Sequence, residues 1–407
     1  MVRCSIEEAH AGRFTPPSAD VATRGRRGEA FTPDREVTNV RDVRLEKLAE
    51  VLVHYCLDIE KKDILLIRSG IEASPLITEV YREALKAGAY PRVQVGLTAT
   101  GEIFYKNARK HQLEFVSPIA KNEIESIDKL LAIRATSNTK NLTNVDPDAQ
   151  TTFARAQTGL RQRYQDRVSA GEIEWCVTQF PCNASAQDAE MSLSEYEDFV
   201  LTACLVHKKD PVAAWKAIRR KQARYCKFLN DVKTLRVVKE GTDITMRTAG
   251  RTWINSDGRN NMPSGEIFTG PIEDSVDGTV AFTFPACYGG REVHDVRLTF
   301  KKGKVVKATA SKGEDFLHST LDTDEGAKFV GEMAVGTNYA IKKFTKNTLF
   351  DEKIGGTIHM ALGSSYPKSG GLNKSGIHWD MVADMRQGGK IYADGKLIYK
   401  DGEFKLD

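Results

Sequence analysis

Two of the chain's 8 histidines stand in one glycine- and serine-rich segment, LFDEKIGGTIHMALGSSYPKSGGLNKSGIHWDM, from Leu349 to Met381. His359 falls in GGTIHMALG, which reads as a strand, and Tyr366 follows it in the adjoining loop. His378 and Asp380 stand two apart, which on an extended strand sends both side chains to one face. Upstream, Glu266 in NNMPSGEIFTGPIED and Glu332 in AKFVGEMAVGTNYAI are carboxylates set between glycine and apolar residues. Carboxylates and imidazoles without thiolates suit hard to borderline divalent ions such as Zn²⁺, Co²⁺ or Mn²⁺. Each residue taken singly also has a plainer explanation. A Gly-Glu pair is usually a turn with a solvated acid, a histidine beside Trp379 can be a hydrogen-bonded core residue, and Tyr366 before Pro367 can simply pack.

Other familiar chemistry is absent. No strand runs into G-x-G-x-x-G, and G-x-x-x-x-G-K-[ST] does not occur, so no nucleotide-phosphate loop is written here. H-E-x-x-H and G-x-S-x-G are missing too, which removes the helical zincins and the α/β-hydrolase elbow.

The residues that must be positioned belong to a chain of 407, longer than one hydrophobic core usually fills, so two domains are expected. A net charge of +4, spread over mixed charges, gives no field for nucleic acid. No apolar run approaches the roughly 20 residues of a membrane span, and the first forty residues lack the apolar stretch of a secretory signal. The 7 cysteines are scattered without a C-x-x-C pair. They read as small core residues in a reducing, cytoplasmic setting, and the N-x-[ST] matches at Asn141, Asn183 and Asn373 then carry no meaning.

Residues 1–43, rich in Pro, Gly and Arg, are expected to be a disordered extension. Leu45, Leu48, Ala49, Leu52, Val53 and Cys56 share one helical face. DILLIRS, PRVQVG, KLLAIRA and EIEWCVTQF read as strands separated by helices, one of which opens with a capping box, Ser192 with Glu195. Residues 44–231 are therefore expected to be a doubly wound α/β domain with a parallel sheet. From about Val232 the pattern changes to short alternating strands with tight turns, including Asp394-Gly395 and Asp401-Gly402. Residues 232–407 are expected to be a mostly antiparallel α+β domain that carries the metal.

Four stretches, NMPSGEIFTGPIEDSVDGTV, DTDEGAKFVGEMAVGTN, LFDEKIGGTIHMALG and NKSGIHWDM, closely resemble in order the signature segments of the thermophilic metallo-aminopeptidase family. WCVTQFPCNASAQDAEMSLSEYEDFV resembles its interdomain segment, and the likeness runs from Leu45 to the C-terminus. The resemblance implies a site with two divalent ions (Zn, Co or Mn). Glu266, Glu332, His359 and Asp380 match its ligands, with Glu332 and Asp380 placed to bridge. Tyr366 and His378 match its other active-site positions. His378 is a further candidate ligand or a proton acceptor, and Tyr366 a donor to the tetrahedral oxygen. Glu352, in FDEK, is one more acid beside the ligands. The resemblance further implies peptide substrates and a homodimer with an enclosed site.

Two other readings stay open. A peptide-binding relative could keep this fold with a dead site, although all the matched acids and histidines are present. Another two-metal hydrolase, such as a phosphoesterase, could use the same ligand types. It would need a basic cluster beside them, and the sequence offers only single charges, Arg386 and Lys374.

Overall fold

The structure, a computed structural model, describes residues 42–406. The expected disordered extension lies outside the described residues except at its end. There Asp42 caps a helix over Val43–Val51, accepting a hydrogen bond from the Arg44 amide at 2.8 Å. The apolar face read from Leu45 to Cys56 is real, but its last part, Leu52–Cys56, winds as a π-helical turn.

Ile64–Gly70, Tyr90–Gly96, Lys129–Arg134 and Glu174–Gln179 form a parallel sheet in the order second, first, third, fourth. The run Leu65-Leu66-Ile67 explains why. Alternate side chains leave a strand on opposite faces, so a continuous apolar run must be covered on both. Leu65 and Ile67 pack with Leu52, Val80, Leu131 and Trp215 on one side. Leu66 packs with Ile127 and Ile173 on the other, so the sheet is doubly wound as expected. Each such side chain, fully buried, contributes about 1.5–3 kcal/mol. Ser192 and Glu195 make the anticipated capping box on the helix Leu193–Ala203.

Past Val232 the strands are antiparallel. An eight-stranded sheet uses the expected hairpins at Asp394-Gly395 and Asp401-Gly402. A five-stranded sheet runs in the order His378–Asp384, Thr357–Gly363, Val330–Gly336, Glu266–Thr269, Ile254–Ser256. The two sheets share one core, in which Val237, Ile244, Val280 and Leu298 meet Ile267, Met333, Met360 and Met381. Several elements tie the halves together, among them a cluster of Tyr196 and Val200 with Ile341, Leu349 and Phe350. The helix Pro211–Leu229 buries Trp215 against the parallel sheet and Tyr225, Cys226 and Leu229 in the antiparallel core. Asn261–Met262 adds a short fifth parallel strand beside Val177 and Thr178, which the sequence did not suggest.

Cys56, Cys176, Cys182, Cys204 and Cys226 are buried free thiols and Cys287 is half-buried, as expected of small core residues. Among the described residues no helix is long and apolar enough to cross a membrane.

Candidate metal centre

The five-stranded sheet has two unlike faces. Met333, Val335, Ile358, Met360, Leu362, Trp379 and Met381 fill the core. The residues between them point the other way, and these carry the chemistry. In the ladder Glu332 stands opposite Ala361, which stands opposite Asp380; Gly363 pairs with His378, Ala334 with His359, and Gly336 with Glu266. Antiparallel partners share a face, so Glu266, Glu332, His359, His378 and Asp380 all rise from one side. A bulge between Val330 and Glu332 aims Glu332 into this group. It depends on Gly331, where a Cβ would lie 2.3 Å from the Gly363 carbonyl oxygen and 2.4 Å from that of Ser364.

The ligand atoms of Glu266, Glu352 and His359 lie within 4.8 Å of one another, and those of Glu332, His378 and Asp380 do likewise. His359 Nε2, fully buried, joins the two groups, 3.1 Å from Glu332 Oε1 and 3.5 Å from Glu266 Oε2. His378 Nε2 is 3.5 Å from Asp380 Oδ1, while its Nδ1 donates to the Ser364 carbonyl at 2.8 Å. That bond holds the neutral ring with its lone pair on Nε2, facing the carboxylates. Glu266 Oε2, Asp380 Oδ1 and His359 Nδ1 are buried without a hydrogen-bond partner. Buried polar atoms are ordinarily satisfied. Oxygen and imidazole donors converging with two orphaned carboxylate oxygens fit divalent cations.

Charge is concentrated here. Burial opposes ionisation of Asp380, but the adjacent imidazole of His378, with His359 and Lys353 beyond, holds its carboxyl down at about 2. Desolvation likewise opposes the charge on His378, yet Asp380 and Glu332 raise it to about 10. For His359 the same opposition is overcome by Glu332, Glu266 and Asp380, which raise it to about 9. Burial raises Glu332, and lifts Glu352 to about 8 against the opposing charge of Lys353.

Every residue singled out in the sequence is therefore in one place, and Tyr366 lines the same cavity of about 230 Å³ with Glu266, Glu332, Glu352 and His378. Glu352 is closer in than expected, as one of a triad with Glu266 and His359. Lys353 was missed. Its fully buried Nζ sits 3.3 Å from Glu266 Oε1 and pairs with Glu352. Its only signal was the charge triplet Asp351-Glu352-Lys353 just before a strand. One expectation is corrected: basic residues do gather beside the ligands. Arg259 lines the cavity, and Lys216, Arg219 and Lys368 line a neighbouring one. They come from a helix and two loops far apart in sequence, so no local run of charge announced them.

A parallel α/β sheet joined to an antiparallel one, with buried carboxylates and imidazoles gathered on one face, is the frame of a candidate metal centre. Residues 41–404 match the model of the thermophilic metalloprotease (M29) family, and the chain belongs to that family. It is similar to Aminopeptidase 2 of Geobacillus stearothermophilus, 27% identical over 89% of this chain and 98% of that one. It is also similar to Aminopeptidase AmpS of Bacillus subtilis, 31% identical over 66% of this chain and 74% of that one. The structure of wild-type AmpT from Thermus thermophilus superposes with a TM-score of 0.78 at 24% identity, covering 89% of this chain and 99% of the other, and shares the fold.

Proposed function

We propose that this enzyme, a metallo-aminopeptidase by family, removes residues singly from the free N-terminus of peptides with a pair of divalent ions, one at each triad. The observation that carries the reading is the pairing of the triads in one cavity, linked by the 3.1 Å contact of His359 with Glu332. Divalent ions held there would polarise the scissile carbonyl and lower the pKa of a bound water from about 16 towards about 7.

The protein's own groups have distinct parts. Glu332 and Asp380, one in contact with His359 and the other with His378, are the candidates to bridge. His378 is the most exposed of these ligands and presents Nε2 to the cavity, where it can ligate or accept the proton of the attacking water. Tyr366 lines the same cavity, and its hydroxyl is the candidate donor to the oxygen that gains charge in the transition state. Lys353 balances Glu266 and Glu352, so four carboxylates can be packed together without metal. Nitrogen and oxygen donors suit Zn²⁺, Co²⁺ or Mn²⁺. Six free thiols among the described residues support a reducing, cytoplasmic setting, while the homodimer rests on the family resemblance alone.

The basic residues beside the cavity give the phosphoesterase reading one specific support. Both readings are tested with Leu-p-nitroanilide and p-nitrophenyl phosphate, each with chelator and with added Co²⁺ or Zn²⁺. Metal-dependent release from the anilide alone is expected. Release from the phosphate alone would replace the aminopeptidase reading, and release from neither would favour a dead site.

A further inference from the structure

Beside the ligand-lined cavity lies a second space of about 380 Å³, and Trp175, Arg259, Asn260 and Tyr366 line both. The two spaces differ in charge. Glu266, Glu332, Glu352 and Asp257 line the first; Lys216, Arg219 and Lys368 line the second, against Asp58 and Glu174; and Arg259 stands between them, lining both. Glu174 is already paired with Lys129 at 2.6 Å.

Arg219 and Arg259 are held in a particular way. Both approach the buried Asp257 through Nε, at 3.2 and 3.3 Å from Oδ2. Asp257 thus grips each guanidinium by one edge, and about half of each arginine side chain remains exposed. The surrounding backbone is pinned. Tyr55 donates to the Asp257 carbonyl at 2.7 Å, the Val177 amide to that of Asn260 at 2.8 Å, and the Asn260 side chain to the Trp175 carbonyl at 3.1 Å. Gly258, with φ +105°, leaves space for Met262, Trp215 and Tyr55 that a Cβ would enter at 3.1–3.2 Å. A guanidinium edge fixed on a rigid loop is pre-organised for a planar, two-oxygen anion.

We propose that Arg259, supported by Arg219, binds the free C-terminal carboxylate of short peptides and makes the enzyme selective for them. This rests on the aminopeptidase reading above. A short peptide carries an amine and a carboxylate a few residues apart, and the site offers the metal-ligand triads on one side and guanidiniums on the other. Binding the leaving side of the substrate this way holds the first peptide bond over the ligands and favours chains whose second terminus falls at Arg259. An acidic side chain carries the same group, so the test separates the two sources.

The test compares kcat/KM for Leu-Gly, Leu-Gly-Gly and Leu-Gly-Gly-Gly, as free acids and as C-terminal amides, on the metal-loaded full chain. At one of these lengths the acid should exceed the amide by about tenfold or more, chiefly through KM. Arg259→Gln should bring that ratio close to one, and Arg259→Lys should restore part of it. A wild-type ratio near one at every length would overturn the proposal, whether or not any variant folds. So would a ratio that Arg259→Gln leaves unchanged. Preference for Leu-Asp-amide over Leu-Asn-amide, with none for free acids, would assign the arginines to a side chain and overturn it too. Leu-p-nitroanilide, which has no carboxylate, separates the two failures. If it is cleaved while acids and amides are equal, only this inference falls; if neither it nor any peptide is cleaved, the aminopeptidase reading falls as well.

Discussion

Lys353 Nζ lies 3.3 Å from Glu266 Oε1 with its side chain wholly buried, and it pairs with Glu352 as well. A lysine out of water costs stability unless its charge is matched, and here two carboxylates match it. Burial alone would lower its pKa, but Glu266 and Glu352 raise it above the ordinary lysine value. Lys353→Met should leave two buried acids facing each other. Loss of one partner from such a group costs about 3–5 kcal/mol, so the metal-free protein should melt well below wild type. Added Zn²⁺ should recover part of the loss, because it supplies positive charge to the same carboxylates. Thermal unfolding with chelator and with Zn²⁺ measures both; equal melting of variant and wild type in chelator would show that the pair does not matter to folding.

How far the site could be read from sequence depended on periodicity. His378 and Asp380 two apart announced a shared face before any register was known, while the ladder alone brings Glu332 and His359 onto it. The strands around Leu66 and the turns at Asp394 and Asp401 were equally plain, because apolar runs and Asp-Gly pairs are local signals. Lys353 was not legible: in FDEK it reads as one more solvated charge, and only burial beneath Glu266 reveals its part. Nor were Arg219 and Arg259. One sits mid-helix and the other in a loop forty residues on, and Asp257 unites them only in the folded chain. The bulge at Gly331 is likewise a property of the strand pair.

Glu332 touches His359 and shares the second triad, so its charge serves both groups. Glu332→Gln keeps the shape and removes the charge. Turnover at saturating Zn²⁺ should fall by about a hundredfold or more, which is about 2.7 kcal/mol of transition-state stabilisation. The fold should persist by circular dichroism. Retention of more than about a tenth of wild-type turnover would contradict a bridging part for Glu332.

Metal binding should depend on pH with a definite sign. In the metal-free chain the surrounding carboxylates, against the opposing effect of burial, hold His359 at about 9 and His378 at about 10. Both imidazoles therefore keep their protons through neutral pH, and a ligand must release its proton to bind. Zn²⁺ affinity should rise steadily from about pH 6 to about pH 8, with protons released into the buffer. Calorimetry in buffers of different ionisation enthalpy measures the release. Affinity constant over that range would mean that these imidazoles are not ligands.

The central claim is that the acidic end of the cavity receives a free amino terminus. Glu266, Glu332, Glu352 and Asp380 belong to the two triads that would hold the ions, and a neutral amine can take a coordination position there that an acylated nitrogen cannot. The most direct measurement is mass spectrometry of a decapeptide and its N-acetyl form, each incubated with the metal-loaded chain. The unblocked peptide should shorten one residue at a time from its N-terminus while the acetylated one stays intact. Internal cleavage of the acetylated peptide at a comparable rate would make the enzyme an endopeptidase and contradict the claim.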